Sequence, residues 1–216
     1  MTRLAAIEKG EYYPTPLGVV DAIAGYLAVG QARGVIRLFD PCCGEGLALE
    51  RLAQALRSRT SLPVQAWGVE LSPARAQEAA SRLDLVIPAP FEAVSWAPTR
   101  EGIASVLFLN PPYDQNDRAG RMELDFLKAA MPALVSNGVL VYIIPTTAVT
   151  WGLADHLYTH FEHIQTFRFG DEPGPSGFDA FKQIVVMATV RKSAVYSHEV
   201  RDGIDEFLKL CTDIYG

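Results

Sequence analysis

The chain has 216 residues, 49% of them hydrophobic and 20% charged, and a formal net charge of −6. Such a composition suits a globular α/β protein with one large core, and no apolar run approaches the roughly 18 residues of a membrane span. The acidic balance weighs against nucleic-acid binding through net charge, while Arg118, Arg121, Lys128 and Lys182 leave room for a local basic rim.

In chain order, Val35–Phe39 reads as a first buried strand and Leu47–Leu56 as a helix with an apolar face of Leu49, Leu52, Ala53 and Leu56. Val64–Leu71 is a second strand, after which Ser72 and Pro73 suit the N-cap and first turn of a helix. Leu85–Ile87 and Ala104–Leu109 are the third and fourth strands. Met122–Leu134 reads as a helix closed by Asn137-Gly138, and Val139–Ile144 as a fifth strand stopped by Pro145. Trp151–Phe161 is helical, and Ile164–Phe169 and Gln183–Val190 are the sixth and seventh strands, joined by a Gly/Pro-rich loop, Gly170–Gly177. Asp202–Tyr215 forms an amphipathic helix through Ile204, Phe207, Leu208, Leu210 and Cys211. Strands alternating with helices predict a single Rossmann-like, doubly wound α/β unit with a mainly parallel seven-stranded sheet and helices on both faces. Residues 1–34 form a leader with a helix, 35–192 the core, and 193–216 a C-terminal helix, all in one globular domain.

The beginning, Met1–Lys9, is too short in apolar residues for a signal peptide, and the three cysteines lack metal-type spacing. A soluble, cytoplasmic protein with no membrane or metal partner is expected. His156 and His160 could share a helix face, but without a third ligand they read as a solvated helix end.

The strongest local signal is Asn110-Pro111-Pro112-Tyr113, which ends the fourth strand because proline cannot donate to the ladder. It holds an amide and two carbonyls rigidly at a strand's carboxyl end, where open α/β sheets bind ligands. A stiff pair of acceptors beside an aromatic suits a planar amino group. Asp40-Pro41-Cys42-Cys43-Gly44-Glu45-Gly46 ends the first strand, and Glu70 ends the second. The glycine turn is one glycine short of the dinucleotide fingerprint and lacks the Gly-Lys-Ser/Thr of a phosphate loop. A Gly-x-Gly turn with an acid on the next strand describes a nucleoside pocket without a pyrophosphate site.

Together these residues resemble the class I S-adenosylmethionine-dependent methyltransferases, in the amino-methyltransferase branch that carries Asp/Asn/Ser-Pro-Pro-Tyr/Phe/Trp. Gly10-Glu11-Tyr12-Tyr13-Pro14-Thr15-Pro16 is similar to the amino-terminal motif of γ-type N6-adenine DNA methyltransferases. The resemblance implies S-adenosyl-L-methionine as cofactor. Tyr13, Thr15 and Pro16 would lie near its methionine end, with Asp40, Cys42, Gly44 and Gly46 around and beneath it. Glu70 would hold the ribose, Leu71 would pack on the adenine, and Asn110 would border the donor. Where the family shows Asp-Phe after the third strand, this chain reads Ala89-Pro90-Phe91-Glu92, which leaves Phe91 as an apolar wall and no acid at that place.

The same resemblance makes Asn110, Pro111, Pro112 and Tyr113 the catalytic group, with Asn110 and Pro111 accepting the two N–H hydrogens of an adenine N6 amino group. Tyr113 would stack on the base, and Phe178 or Phe181, from the last hairpin, would supply a second stacking surface. The expected partner is nucleic acid, DNA foremost, in a setting such as restriction-modification. After the seventh strand only about 25 residues remain, too few for a recognition domain, so either specificity is low, or it comes from a partner subunit or a homodimer partner, or the substrate is RNA. Alternative substrates are an RNA base or a protein glutamine side chain, and a non-catalytic methyltransferase-like subunit is a third reading.

Overall fold

The computed structural model describes residues 14–30, 34–94, 102–111, 121–168 and 182–213. Seven strands form one sheet: β1 (Ile36–Asp40), β2 (Val64–Glu70), β3 (Leu85–Pro88), β4 (Ala104–Leu109), β5 (Leu134–Pro145), β6 (Phe161–Arg168) and β7 (Gln183–Val190). Their order is β3-β2-β1-β4-β5-β7-β6. The first five strands are parallel, and β7 runs antiparallel to both β5 and β6. The sheet is therefore mixed rather than wholly parallel. The chain winds outward from β1 to β3, then returns beside β1 and winds the other way. That reversal places a topological switch point between the carboxyl ends of β1 and β4.

Six helices cover the sheet among the described residues: α1 (Leu17–Tyr26), α2 (Leu47–Arg57), α3 (Pro73–Ala79), α4 (Arg121–Ala130), α5 (Trp151–His160) and α6 (Arg201–Asp213). The inner strands are buried on both faces, so their residues alternate between two cores. Leu140, Tyr142 and Ile144 of β5 pack with Leu127 of α4, Leu153 and Leu157 of α5, and Ile204 and Phe207 of α6. Val141 and Ile143 pack on the opposite side with Val20 of α1, Leu49 and Leu52 of α2, and Ala79 of α3. Two apolar faces on one strand explain why these runs are continuous in sequence rather than alternating. The C-terminal helix buries Ile204, Phe207 and Cys211 and leaves Leu210 exposed. It packs on α5 closely enough that a Cβ on Gly203 would lie 2.5 Å from the Tyr158 ring.

Three expected features are corrected. α4 stops at Ala130, not Leu134, and Met131–Ala133 forms a 3-10 turn containing Pro132. Proline has no N–H for the helix and restricts the residue before it, so the helix cannot run on. Asn137-Gly138 is not a cap but lies inside β5, where Ala104 pairs with Leu134 and Val106 with Val139. The extra residues bulge out, with Asn137 in the left-handed region at φ 59°. β6 likewise begins at Phe161 rather than Ile164, with an irregularity between Glu162 and Gln165 that contains His163 at φ 53°. Among the described residues no helix is long and apolar enough to cross a membrane.

Candidate active site

The turn after β1 is tight because Gly44 and Gly46 both take positive φ, 56° and 80°. Gly46 N donates to the Cys43 carbonyl at 2.9 Å, and Cys43 N donates to the Val69 carbonyl of β2 at 2.9 Å. This draws the turn down onto β2, where Gly68 makes room: a Cβ there would sit 2.4 Å from Cys43 Sγ. Gly68 was not singled out from the sequence, although a glycine inside a strand is a sign of close approach. Asp40, 3% exposed, accepts the Cys42 N–H at 2.9 Å. Burial pushes its carboxyl up to about 7, the negative Glu70 adds to the rise, and the Cys42 bond opposes it.

Glu70 ends β2 and is 5% exposed, so it is no surface charge. Its Oε2 accepts Gly44 N at 2.9 Å. Its Oε1 accepts Ser72 N at 2.7 Å and the Arg75 guanidinium through Nε at 3.0 Å and Nη2 at 2.8 Å. Ser72 is the N-cap residue of α3, but its side chain makes no cap bond and Pro73 takes the first turn. Leu71, next along the chain, is 67% exposed.

Asn110 follows β4 on the far side of the switch point. Its Nδ2 donates to Thr15 Oγ1 at 3.1 Å, tying the amino-terminal motif to the Asn-Pro-Pro turn across 95 residues. Cys42 Sγ donates to the Asn110 carbonyl at 3.3 Å, which ties the same residue to the glycine turn. Burial, then the charge of Asp40, raises the Cys42 thiol well above its ordinary range, so it stays a donor near neutral pH. Thr15 is buried at 8%, and Pro16 precedes α1, accepting the Val19 and Val20 N–H groups. Pro111 is also buried. Thr15, Asp40, Cys42, Gly44, Glu70 and Asn110 thus meet in one linked cluster at the carboxyl ends of β1, β2 and β4.

Phe91, expected as a wall of the pocket, is 7% exposed and stacks on Phe126 at 5.9 Å with Phe39 behind it at 6.4 Å. Most of its surface belongs to the core. Tyr13, Pro112, Tyr113, Phe178 and Phe181 lie outside the described residues, as does Arg118. Lys128 sits two turns along α4, near enough to act on His156, and Lys182 immediately precedes β7. His156 and His160 are both half-buried, and His160 ends α5. Their rings lie 4.4 Å apart, and burial, then His160 and Lys128, lower His156 to about 4. Among the described residues no group of three or more His, Cys, Asp or Glu is placed to hold a metal.

A doubly wound sheet of this order, with an acid-tipped β1, an acid-tipped β2 and an Asn-Pro turn meeting at the switch point, has the architecture of the class I methyltransferase fold. A protein of Listeria monocytogenes described as a class I S-adenosylmethionine-dependent methyltransferase superposes with a TM-score of 0.68 at 15% identity, over 86% of this chain and 63% of its own. The 16S rRNA N2 G1207 methyltransferase of T. thermophilus, solved with S-adenosylmethionine and guanosine, gives 0.58 at 19% over 83% and 44%. A type I restriction-modification methyltransferase subunit of Streptococcus thermophilus gives 0.53 at 15% over 94% and 53%. The chain therefore spans less than two thirds of each of these structures. No curated protein matches it in sequence. The chain belongs to the uncharacterised methyltransferase family DUF6094, which residues 1–204 match. The Listeria protein is described as S-adenosylmethionine-dependent, and the rRNA enzyme holds S-adenosylmethionine in its structure.

Proposed function

We propose that this protein transfers a methyl group from S-adenosylmethionine to the exocyclic N6 amino group of adenine in DNA. The observation that carries the reading is the position of Asn110, held through its amide by Thr15 and through its carbonyl by Cys42, beside the glycine turn. The residues present fit the donor. Glu70 keeps acceptor capacity on Oε2, which takes a single N–H, and an exposed leucine follows it, a pairing that suits a ribose carrying a flat apolar base. When bound, S-adenosylmethionine supplies an electrophilic methyl on a positively charged sulfur. Asp40, buried and close to neutral pH in its titration, would ionise to face that ligand's positive charge.

An adenine amino group is a weak nucleophile because its lone pair is delocalised into the ring. The Asn110 side-chain oxygen and the Pro111 carbonyl accept its two hydrogens, which favours a localised lone pair and stabilises the positive charge that develops on nitrogen. The bond from Nδ2 to Thr15 sets the rotation of the Asn110 amide, so its oxygen is on the other side. Tyr113 stacks on the base, which must leave any duplex to enter, and Phe178 or Phe181 covers its second face. After transfer the amine proton is acidic enough to leave to water, so no strong base is needed. The restriction-modification subunit among the fold neighbours supports DNA as substrate, with specificity supplied by a partner subunit or a second copy.

The test is incubation with methyl-labelled donor and, separately, duplex DNA, single-stranded DNA, ribosomal RNA and protein extract. Label is expected in N6-methyladenine of DNA. Label only in RNA, or only on protein glutamine, would move the substrate and overturn the DNA assignment. No label anywhere, with donor binding intact, would make the protein a non-catalytic subunit.

A further inference from the structure

The ion pair on Glu70 is lopsided. Arg75 does not straddle the carboxylate; both Nε and Nη2 converge on Oε1, at 3.0 and 2.8 Å, where Ser72 N already donates at 2.7 Å. Among the described residues Oε2 takes only Gly44 N, at 2.9 Å. A carboxylate offers about four lone-pair sites, two on each oxygen; Ser72 N takes one on Oε1 and the two Arg75 N–H groups share the other, so Oε1 is full and one place is left on Oε2. A ribose presents two adjacent hydroxyls, and this carboxylate has room for one. Arg75 is not free to swing away cheaply. The Glu70 side chain is 6% exposed and Arg75 21%, and breaking a buried pair strands a charge.

The geometry points to Arg75 as a positioning residue for the cofactor: it occupies Glu70 Oε1 and so commits Glu70 to a single ribose hydroxyl through Oε2. This inference rests on the donor assigned above. It makes the site unequally sensitive to the two hydroxyls. With Arg75 removed, Oε1 opens, and both hydroxyls then have an acceptor.

Calorimetric binding of S-adenosylhomocysteine and its 2′-deoxy and 3′-deoxy analogues tests it without any methyl acceptor. In the wild type one deoxy analogue should bind about tenfold or more weaker than the parent, as for loss of a hydrogen bond to a charged group, and the other within about threefold. In Arg75→Met both analogues should fall below the parent. Equal losses for the two analogues in the wild type would overturn the inference whether or not the variant folds. So would an Arg75→Met protein that keeps the one-sided pattern. Failure of the wild type to bind S-adenosylhomocysteine at all would instead overturn the donor assignment, and this inference with it.

Discussion

β1 and β2 each end in a buried carboxylate, and the two are treated in opposite ways. Glu70 receives four hydrogen bonds, two of them from a guanidinium. Asp40 receives one, from the Cys42 N–H, and its titration rises to about 7. The well-bonded acid is a fixed part of the architecture that joins the glycine turn, the start of α3 and Arg75. The poorly compensated one is costly to ionise without a positive group beside it. Two carboxylates at similar depth are thus bonded into the architecture in one place and left under-bonded in the other.

Removing Glu70 breaks the comparison hardest. Glu70→Ala leaves the Gly44 and Ser72 N–H groups and Arg75 without their shared acceptor. It should cost about 3 kcal/mol of stability in a denaturant titration, the scale for deleting one partner of a buried pair. S-adenosylhomocysteine binding should fall by about 100-fold or more. A variant as stable as the wild type would show that Glu70 is not structural.

Asp40 should sharpen the comparison through pH. Its folded-state value is raised from 3.8 to about 7, so its contribution to stability is fully present below about 3.8 and lost as pH rises through about 7. Asp40→Asn should therefore gain on the wild type as pH climbs through that window. Ligand binding runs the other way. A positive ligand favours the ionised acid, so S-adenosylmethionine affinity should rise with pH up to about 7 in the wild type and stay flat in Asp40→Asn. Glu70, Cys42 and Cys43 lie near enough to act on this acid, and an unchanged slope in the variant would show that Asp40 is not the group that titrates.

The smallest effect is expected at Cys42, whose thiol donates to the Asn110 carbonyl at 3.3 Å. A thiol is a weak donor. Cys42→Ala should lower methyl transfer by only a few-fold, within the range of one neutral hydrogen bond, and Cys42→Ser should recover most of it. A loss as deep as that of Glu70→Ala would mean that Cys42 supports the turn and does not merely steady Asn110.

What was readable in the sequence was local chemistry at strand ends. Asp40, Glu70 and Asn110 each close an apolar run, and the proline directly after Asp40 and after Asn110 announces where those two strands stop. The cluster they form was less legible, because Thr15 and Asn110 are 95 residues apart and Cys42 and Asn110 are 68 apart. Only the winding of the sheet joins them, and motif order implies that join through resemblance alone. Asn137-Gly138 misled because a pair that accepts left-handed backbone suits a helix cap and a strand bulge equally, whereas Pro132 marked the true end of α4. The one-sided bonding of Glu70 left no trace in composition or spacing, since it depends on which oxygen each donor reaches.

The central claim is that Asn110 acts on the acceptor amine and not on the donor's binding. The direct measurement is Asn110→Ala, read by S-adenosylhomocysteine affinity and by single-turnover methyl transfer to the acceptor that labels. The account predicts affinity within about threefold of the wild type and transfer reduced by about 100-fold or more, the scale for removing one preorganised contact to developing charge. Near-normal transfer, or a loss confined to donor affinity, would contradict it.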